Sequence, residues 1–285
     1  MHRRADGDRL FCGPDARCIV AHAMHSGTLE PGGGLYDPAL DHDSCGIGFV
    51  ADIRGRKSHR IIEQGQTVLT NLTHRGAVGA DPLAGDGAGM LIQLPDAFFR
   101  ASAERLGFDL PPAGQYGVGM AFLPQGDADR DLCESTLAEI AVDSGLTVLG
   151  WRDVPVDSRC LGDSVKPKEP VIRQIFVGRG DRIDNVDDFE RKLFVVRKQA
   201  HLAIRKRAPR ITDAGHYYLP SMSARTIVYK GMMLAENLPV YYPDLVDPTV
   251  KSAMALIHQR FSTNTFPSWK LAQPFRYLCH NGEIN

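Results

Sequence analysis

The chain has 285 residues, room for one large domain or two small ones at roughly 150 residues each. Apolar residues make up 43% and charged residues 24%, and 33 basic against 34 acidic side chains leave a net charge of −1, so the basic excess of a nucleic-acid-binding protein is absent. No run approaches the about 18 apolar residues of a membrane-crossing helix, and residues 1–30 lack the apolar core of a signal peptide, so the expectation is a cytoplasmic protein with no membrane partner.

Residues 1–44 mix Arg and Asp with a PGGG stretch at 31–34 and show no sustained periodicity, which reads as a flexible or removable leader. At Cys45 the character changes: CGIGFVADI is a glycine-relieved apolar strand, and RGRKSH after it is a turn. Ile62, Val68, Leu69 and Leu72 fall at helical spacing and predict a short helix over 61–74, with Gly76 as its C-cap. The glycine-rich stretch from Gly76 to Gly89 opens into a strand at Met90–Leu94; it has neither the Lys-Ser/Thr ending of a P-loop nor the frame of a dinucleotide fold, so nucleotide binding is not expected. A helix starting at Pro95, a strand over QYGVGMAFLPQ, a helix over 128–145 and strands over TVLGWRDVPVD and VIRQIFVGR follow. Phe189, Leu193, Val196, Ala200 and Ile204 then form one helical stripe, and the many Arg and Lys between them read as its solvated face. HYYLPSMSARTIVYKGMM is two strands or one long bent one, SAMALIHQRF a strand with a polar end, STNTFPSWKLAQPF a loop, and RYLCHNGEI a final strand.

The six cysteines, at 12, 18, 45, 133, 160 and 279, are too sparse for a disulfide framework, and reduced thiols are expected. There is no CxxC and no paired Cys/His ligand spacing, so no metal is expected in this segment. Amide hydrolysis without a metal needs a nucleophile, a base and two donors for the oxyanion. Cys45 could supply nucleophile and base together only as a first residue, when its free α-amine, with a pKa of about 8, could accept the thiol proton. Within the unprocessed chain that amine is locked in the Ser44–Cys45 peptide bond.

Five stretches carry a resemblance: DHDSCGIGFVADI at 41–53, HRGA at 74–77 with GDGAGM at 85–90, SARTIVYKGM at 223–232, HQRFSTNTFPSW at 258–269 and HNGEIN at 280–285. Together, and in this order, they resemble the amino-terminal glutaminase domain of the glutamate synthase large subunit, a class II (N-terminal nucleophile) glutamine amidotransferase. The resemblance implies an α+β fold, the four-layer αββα sandwich of N-terminal nucleophile hydrolases. It divides the chain into a propeptide or flexible leader, 1–44, and an amidotransferase domain, 45–285.

By the same resemblance, Cys45 is the nucleophile exposed by processing, and Asn281 and Gly282 supply the side-chain and backbone N–H of the oxyanion hole. Arg260 clamps the α-carboxylate of L-glutamine, a task suited to a planar guanidinium. Thr263 and Asn264 are further candidates for substrate contact, Arg75 and Asp86 for ordering the pocket, and Phe266 and Trp269 either wall the pocket or pack the loop. Taken singly, Cys45 reads sooner as a buried strand thiol, Arg260 as a surface ion-pair member and Asn281–Gly282 as a type I′ turn, and it is the joint match of the motifs that reverses this.

The resemblance also implies an aspartate for the α-amino group beyond HNGEIN, so the domain is expected to be carboxy-terminally incomplete. The synthase domain in cis would bring FMN and an iron–sulfur cluster, this segment itself holding no cofactor, and electrons would come from a small NADPH-oxidising subunit or ferredoxin. The rival readings are a glutaminase domain serving another acceptor and a non-catalytic truncated remnant.

Overall fold

The computed structural model describes residues 46–76, 81–207, 211, 214–259 and 267–280. Among these, strand β1 (Ile47–Ala51) leads to helix α1 (His59–Asn71) and strand β2 (Ala88–Gln93) to helix α2 (Asp96–Leu106). Strand β3 (Tyr116–Leu123), helix α3 (Asp127–Asp143), strands β4 (Thr147–Asp153) and β5 (Val171–Gly178) and the long helix α4 (Val186–Arg207) follow. Strands β6 (Tyr218–Ser223) and β7 (Thr226–Gly231), the short helix α5 (Leu238–Tyr241) and strand β8 (Met254–Gln259) complete the regular elements.

The strands form two four-stranded sheets, ordered β1-β8-β2-β7 and β4-β5-β3-β6, antiparallel throughout. Strand alternation explains how the second sheet is covered on both faces. Tyr116, Val118, Met120 and Phe122 of β3, with Ile172 and Phe176 of β5, join Met90, Ile92, Tyr229, Ala255 and Ile257 of the first sheet in a common core. The opposite face, with Ala121, Leu123, Ile175 and Val177, packs against Cys133, Leu137 and Ala141 of α3 and Phe189, Leu193, Val196, Ala200 and Ile204 of α4. The predicted helical stripe is thus the buried face of α4, and β3 reads as a continuous apolar run because neither of its faces meets water. This is the expected mixed α+β fold of two antiparallel sheets with helices packed on them.

Two local expectations differ from the structure. Helix α1 is capped at Leu72, and Gly76 closes a separate 3₁₀ turn, Thr73–Arg75, with an ordinary φ of −73°. The described part of the expected final strand, residues 276–280, is irregular. The Phe275 N–H turns back to the Leu278 carbonyl, and the His280 backbone bonds a side chain rather than a neighbouring strand. An apolar run can make a strand only where an open sheet edge accepts it.

Candidate active site

Several remote segments meet at one end of the first sheet. The β1–β8 ladder runs out at the Ile47–His258 pair, and one step further the Gln259 N–H donates to the Gly46 carbonyl at 2.8 Å. The residue following Cys45 is therefore bonded to the residue preceding Arg260. The Gln259 side chain, 1% exposed, lies over Gly76, where any Cβ would collide with its amide nitrogen. That contact brings the turn holding Arg75 to the same corner.

The segment 267–280 returns over this sheet and is fixed at successive points. Trp269 is buried, edge-on to Phe122 with ring centroids 6.0 Å apart and 5.6 Å from Tyr241, so it packs the core rather than walling a pocket. The amino group of Lys230, on β7 and fully buried, donates to the carbonyls of Lys270 at 3.0 Å and Ala272 at 2.5 Å. It sits 5.0 Å from the ring centroid of Tyr218 and 4.6 Å from that of Phe275. Burial, reinforced by the charge of Arg197, holds its pKa well below the usual lysine range. On the far side, Arg276 pairs with Glu190 of α4 at 2.5 Å, and the Tyr277 hydroxyl donates to the same carboxylate.

The segment ends on His280. Its N–H donates to Gln273 Oε1 at 2.8 Å, and its carbonyl accepts from Gln273 Nε2 at 2.7 Å and from His258 Nε2 at 2.8 Å. A carbonyl only accepts, so the His258 imidazole carries a proton on Nε2. The residue preceding Asn281 is in this way tied to β8 two residues before Arg260.

Of the predicted site residues, Cys45, Arg260, Thr263, Asn264, Phe266, Asn281 and Gly282 lie outside the described residues. Arg75 ends the 3₁₀ turn, and Asp86 is half-buried in the turn leading into β2. Lys230, Gln259 and Gln273 were missed. The one signal available was a charged residue inside the apolar strand TIVYKG. Two of the other thiols are poorly suited to attack: burial pushes Cys133 up to about 12 and also raises Cys160. Among the described residues no group of three or more His, Cys, Asp or Glu could hold a metal, and no helix is long and apolar enough to cross a membrane.

Two antiparallel sheets that bring the neighbours of a cysteine, an arginine and an Asn-Gly pair to one corner fit one class of enzyme domain, and comparison with known proteins agrees. The chain belongs to the class II glutamine amidotransferases, whose family model matches residues 45–285. It is a glutamine amidotransferase domain homologous to the amino-terminal glutaminase part of glutamate synthase large chains. It is 45% identical over 252 residues to the glutamate synthase [NADPH] large chain of Bacillus subtilis, a match covering 88% of this chain and 16% of that protein. It is 41% identical over 273 residues to glutamate synthase [NADH] of Saccharomyces cerevisiae, covering 93% of this chain and 12% of the relative. The ferredoxin-dependent glutamate synthase 2 of Arabidopsis thaliana is 41% identical over 251 residues, covering 88% and 15%. The chain thus spans less than a fifth of the length of these relatives.

Proposed function

We propose that the chain hydrolyses L-glutamine with Cys45 as an amino-terminal nucleophile, uncovered when residues 1–44 are removed as a propeptide. The observation that carries this reading is the convergence of Gly46, Gln259 and His280, each one peptide step, about 3.8 Å, from Cys45, Arg260 and Asn281. Segments far apart in sequence are thus tied to the same end of β8.

The free α-amine takes the thiol proton, and the thiolate attacks the side-chain amide carbon of glutamine. The Asn281 side-chain N–H and the Gly282 backbone N–H hold the oxyanion, while Arg260 grips the α-carboxylate. As the C–N bond breaks, the proton passes to the departing nitrogen and ammonia leaves. Water then hydrolyses the γ-glutamyl thioester, releasing glutamate and restoring the thiol. Thr263 and Asn264 contact the substrate, and Arg75 and Asp86 order the pocket wall.

In the whole protein, ammonia would pass to a synthase domain in cis for reductive amination of 2-oxoglutarate. FMN and an iron–sulfur cluster would belong to that part, with electrons from a small NADPH-oxidising subunit or from ferredoxin; the names of the relatives carry NADPH and ferredoxin. A reducing, cytoplasmic setting suits a free thiol nucleophile.

Mass spectrometry of the purified protein joined to a glutaminase assay tests this reading. The expected result is a mature form beginning at Cys45 that releases glutamate and ammonia, with Cys45→Ala slower by at least about a thousandfold. Turnover by a chain that keeps Met1, or by Cys45→Ala, would overturn it.

A further inference from the structure

The geometry points to Gln273 as a positioning residue for the oxyanion donors, its carboxamide gripping the backbone of His280 from both sides and so fixing the start of Asn281–Gly282. This rests on the reading of Asn281 and Gly282 given above.

A glutamine carboxamide is a copy of a peptide group, with a carbonyl acceptor and N–H donors in one plane. Against His280 it behaves as a strand would, accepting the N–H at 2.8 Å and donating to the carbonyl at 2.7 Å. The His258 imidazole makes a second bond to that carbonyl at 2.8 Å. The His280 carbonyl shares its peptide plane with the nitrogen and Cα of residue 281. Holding that plane through two donors therefore fixes the point from which residue 281 departs.

A clamp must itself be rigid, and Gln273 is 1% exposed. Its own carbonyl lies against Gly89 on β2, where no Cβ would fit, and the carbonyl before it is held by Lys230. Hydrogen bonds from Lys230 on β7 and close packing on Gly89 of β2 thus hold the segment that carries Gln273, while His258 reaches the His280 carbonyl from β8. An oxyanion donor works only within a few tenths of an ångström of its ideal distance, and a misplacement near 1 Å can cost about a hundredfold in rate.

The test uses the full chain processed at Cys45. Gln273→Leu, close in volume but unable to make either bond, is expected to lower kcat by about 10- to 100-fold. KM for glutamine should stay within about threefold, because Arg260, which the clamp does not touch, binds the other end of the substrate. Alkylation of Cys45 by iodoacetamide, a displacement that forms no oxyanion, should proceed at the wild-type rate. In Gln273→Glu the carboxylate still accepts from the His280 N–H but faces the His280 carbonyl with a lone pair. Protonation restores the missing donor, so its kcat relative to wild type should rise as pH falls from about 8 to about 5.5.

Unchanged kcat in a folded Gln273→Leu would overturn the proposal. So would a joint fall of kcat, alkylation rate and thermal stability, or failure of both variants to fold, since either would make Gln273 a structural residue only. A Glu variant whose deficit is independent of pH would do the same. Asn281→Ala separates the two layers of argument: if it loses activity while Gln273→Leu does not, the clamp alone fails. If Asn281→Ala keeps wild-type kcat, the oxyanion reading fails and the clamp with it.

Discussion

Gly89 lies on β2 directly beneath the Gln273 carbonyl, with the Lys230 side chain and the Pro274 ring also within 3.0 Å of where a Cβ would stand. Two of its three nearest would-be neighbours belong to the returning segment 267–280, so an alanine there cannot be absorbed by a small rotation of one flexible side chain. Gly89→Ala should lower stability by about 2 kcal/mol, the usual range for an overpacked interior, and lower glutaminase kcat in the same variant, because the displaced strap carries His280. Thermal melting together with turnover checks both halves, and a variant that melts like wild type would show that the strap is not seated here. At this scale the sequence pointed to candidate reactive residues through motifs but passed over the buried polar residues that fix the segments next to them. Gln273 and Gln259 have no local signature: a glutamine near a chain turn is ordinary until burial and partner are known. Trp269, offered as a pocket wall or a packing residue, is decided by its rings' neighbours Phe122 and Tyr241.

At the scale of elements, one buried tie between the sheets is ionic. Arg152 of β4 makes a two-point pair with Asp244, at 2.7 and 2.8 Å, and also donates to Gln174 of β5 at 2.9 Å. The Tyr229 hydroxyl of β7 donates to the same carboxylate at 3.1 Å, so both sheets and the 3₁₀ turn Pro243–Val246 share one buried network. Burial disfavours the arginine's charge, but the adjacent carboxylate outweighs it and the net shift in pKa is upward. Arg152→Met should cost about 3–5 kcal/mol by leaving Asp244 buried and unpaired. The double variant Arg152→Met/Asp244→Leu should recover part of that loss, because no uncompensated charge remains. Urea denaturation of the pair reads both, and equal loss in the single and double variants would contradict the assignment. Most elements were legible because amphipathic spacing and apolar runs are properties of neighbouring residues: α4 is buried along its predicted stripe, and the two-strand alternative for HYYLPSMSARTIVYKGMM is the one that forms. The described part of the terminal run, residues 276–280, forms no strand, because pairing depends on what lies beside it.

For the molecule as a whole, the core is rich in tyrosine. Tyr229, Tyr242, Tyr241, Tyr217 and Tyr116 all have pKa values raised, in each case mainly by burial. The folded state therefore keeps protons that the unfolded chain gives up near pH 10, so this contribution to stability is complete below about pH 10 and is lost as pH rises above it. Alkaline unfolding should be cooperative, with tyrosinate absorbance appearing together with the loss of far-ultraviolet circular dichroism. Titration of most tyrosines near pH 10 with the dichroism intact would contradict this picture of the core.

The sequence by itself determined the family, the order of its motifs and the helices and strands that carry them, because motifs and periodicity are written in residues close together along the chain. Only the tertiary structure decided that Gly46, Gln259 and His280 share one corner, that Lys230 and Gln273 hold the segment 267–280 that ends there, and that Arg152, Asp244 and Tyr229 link the two sheets in one buried network. Those facts depend on which distant groups are buried against each other, and a buried polar side chain takes its role from the partner that satisfies it.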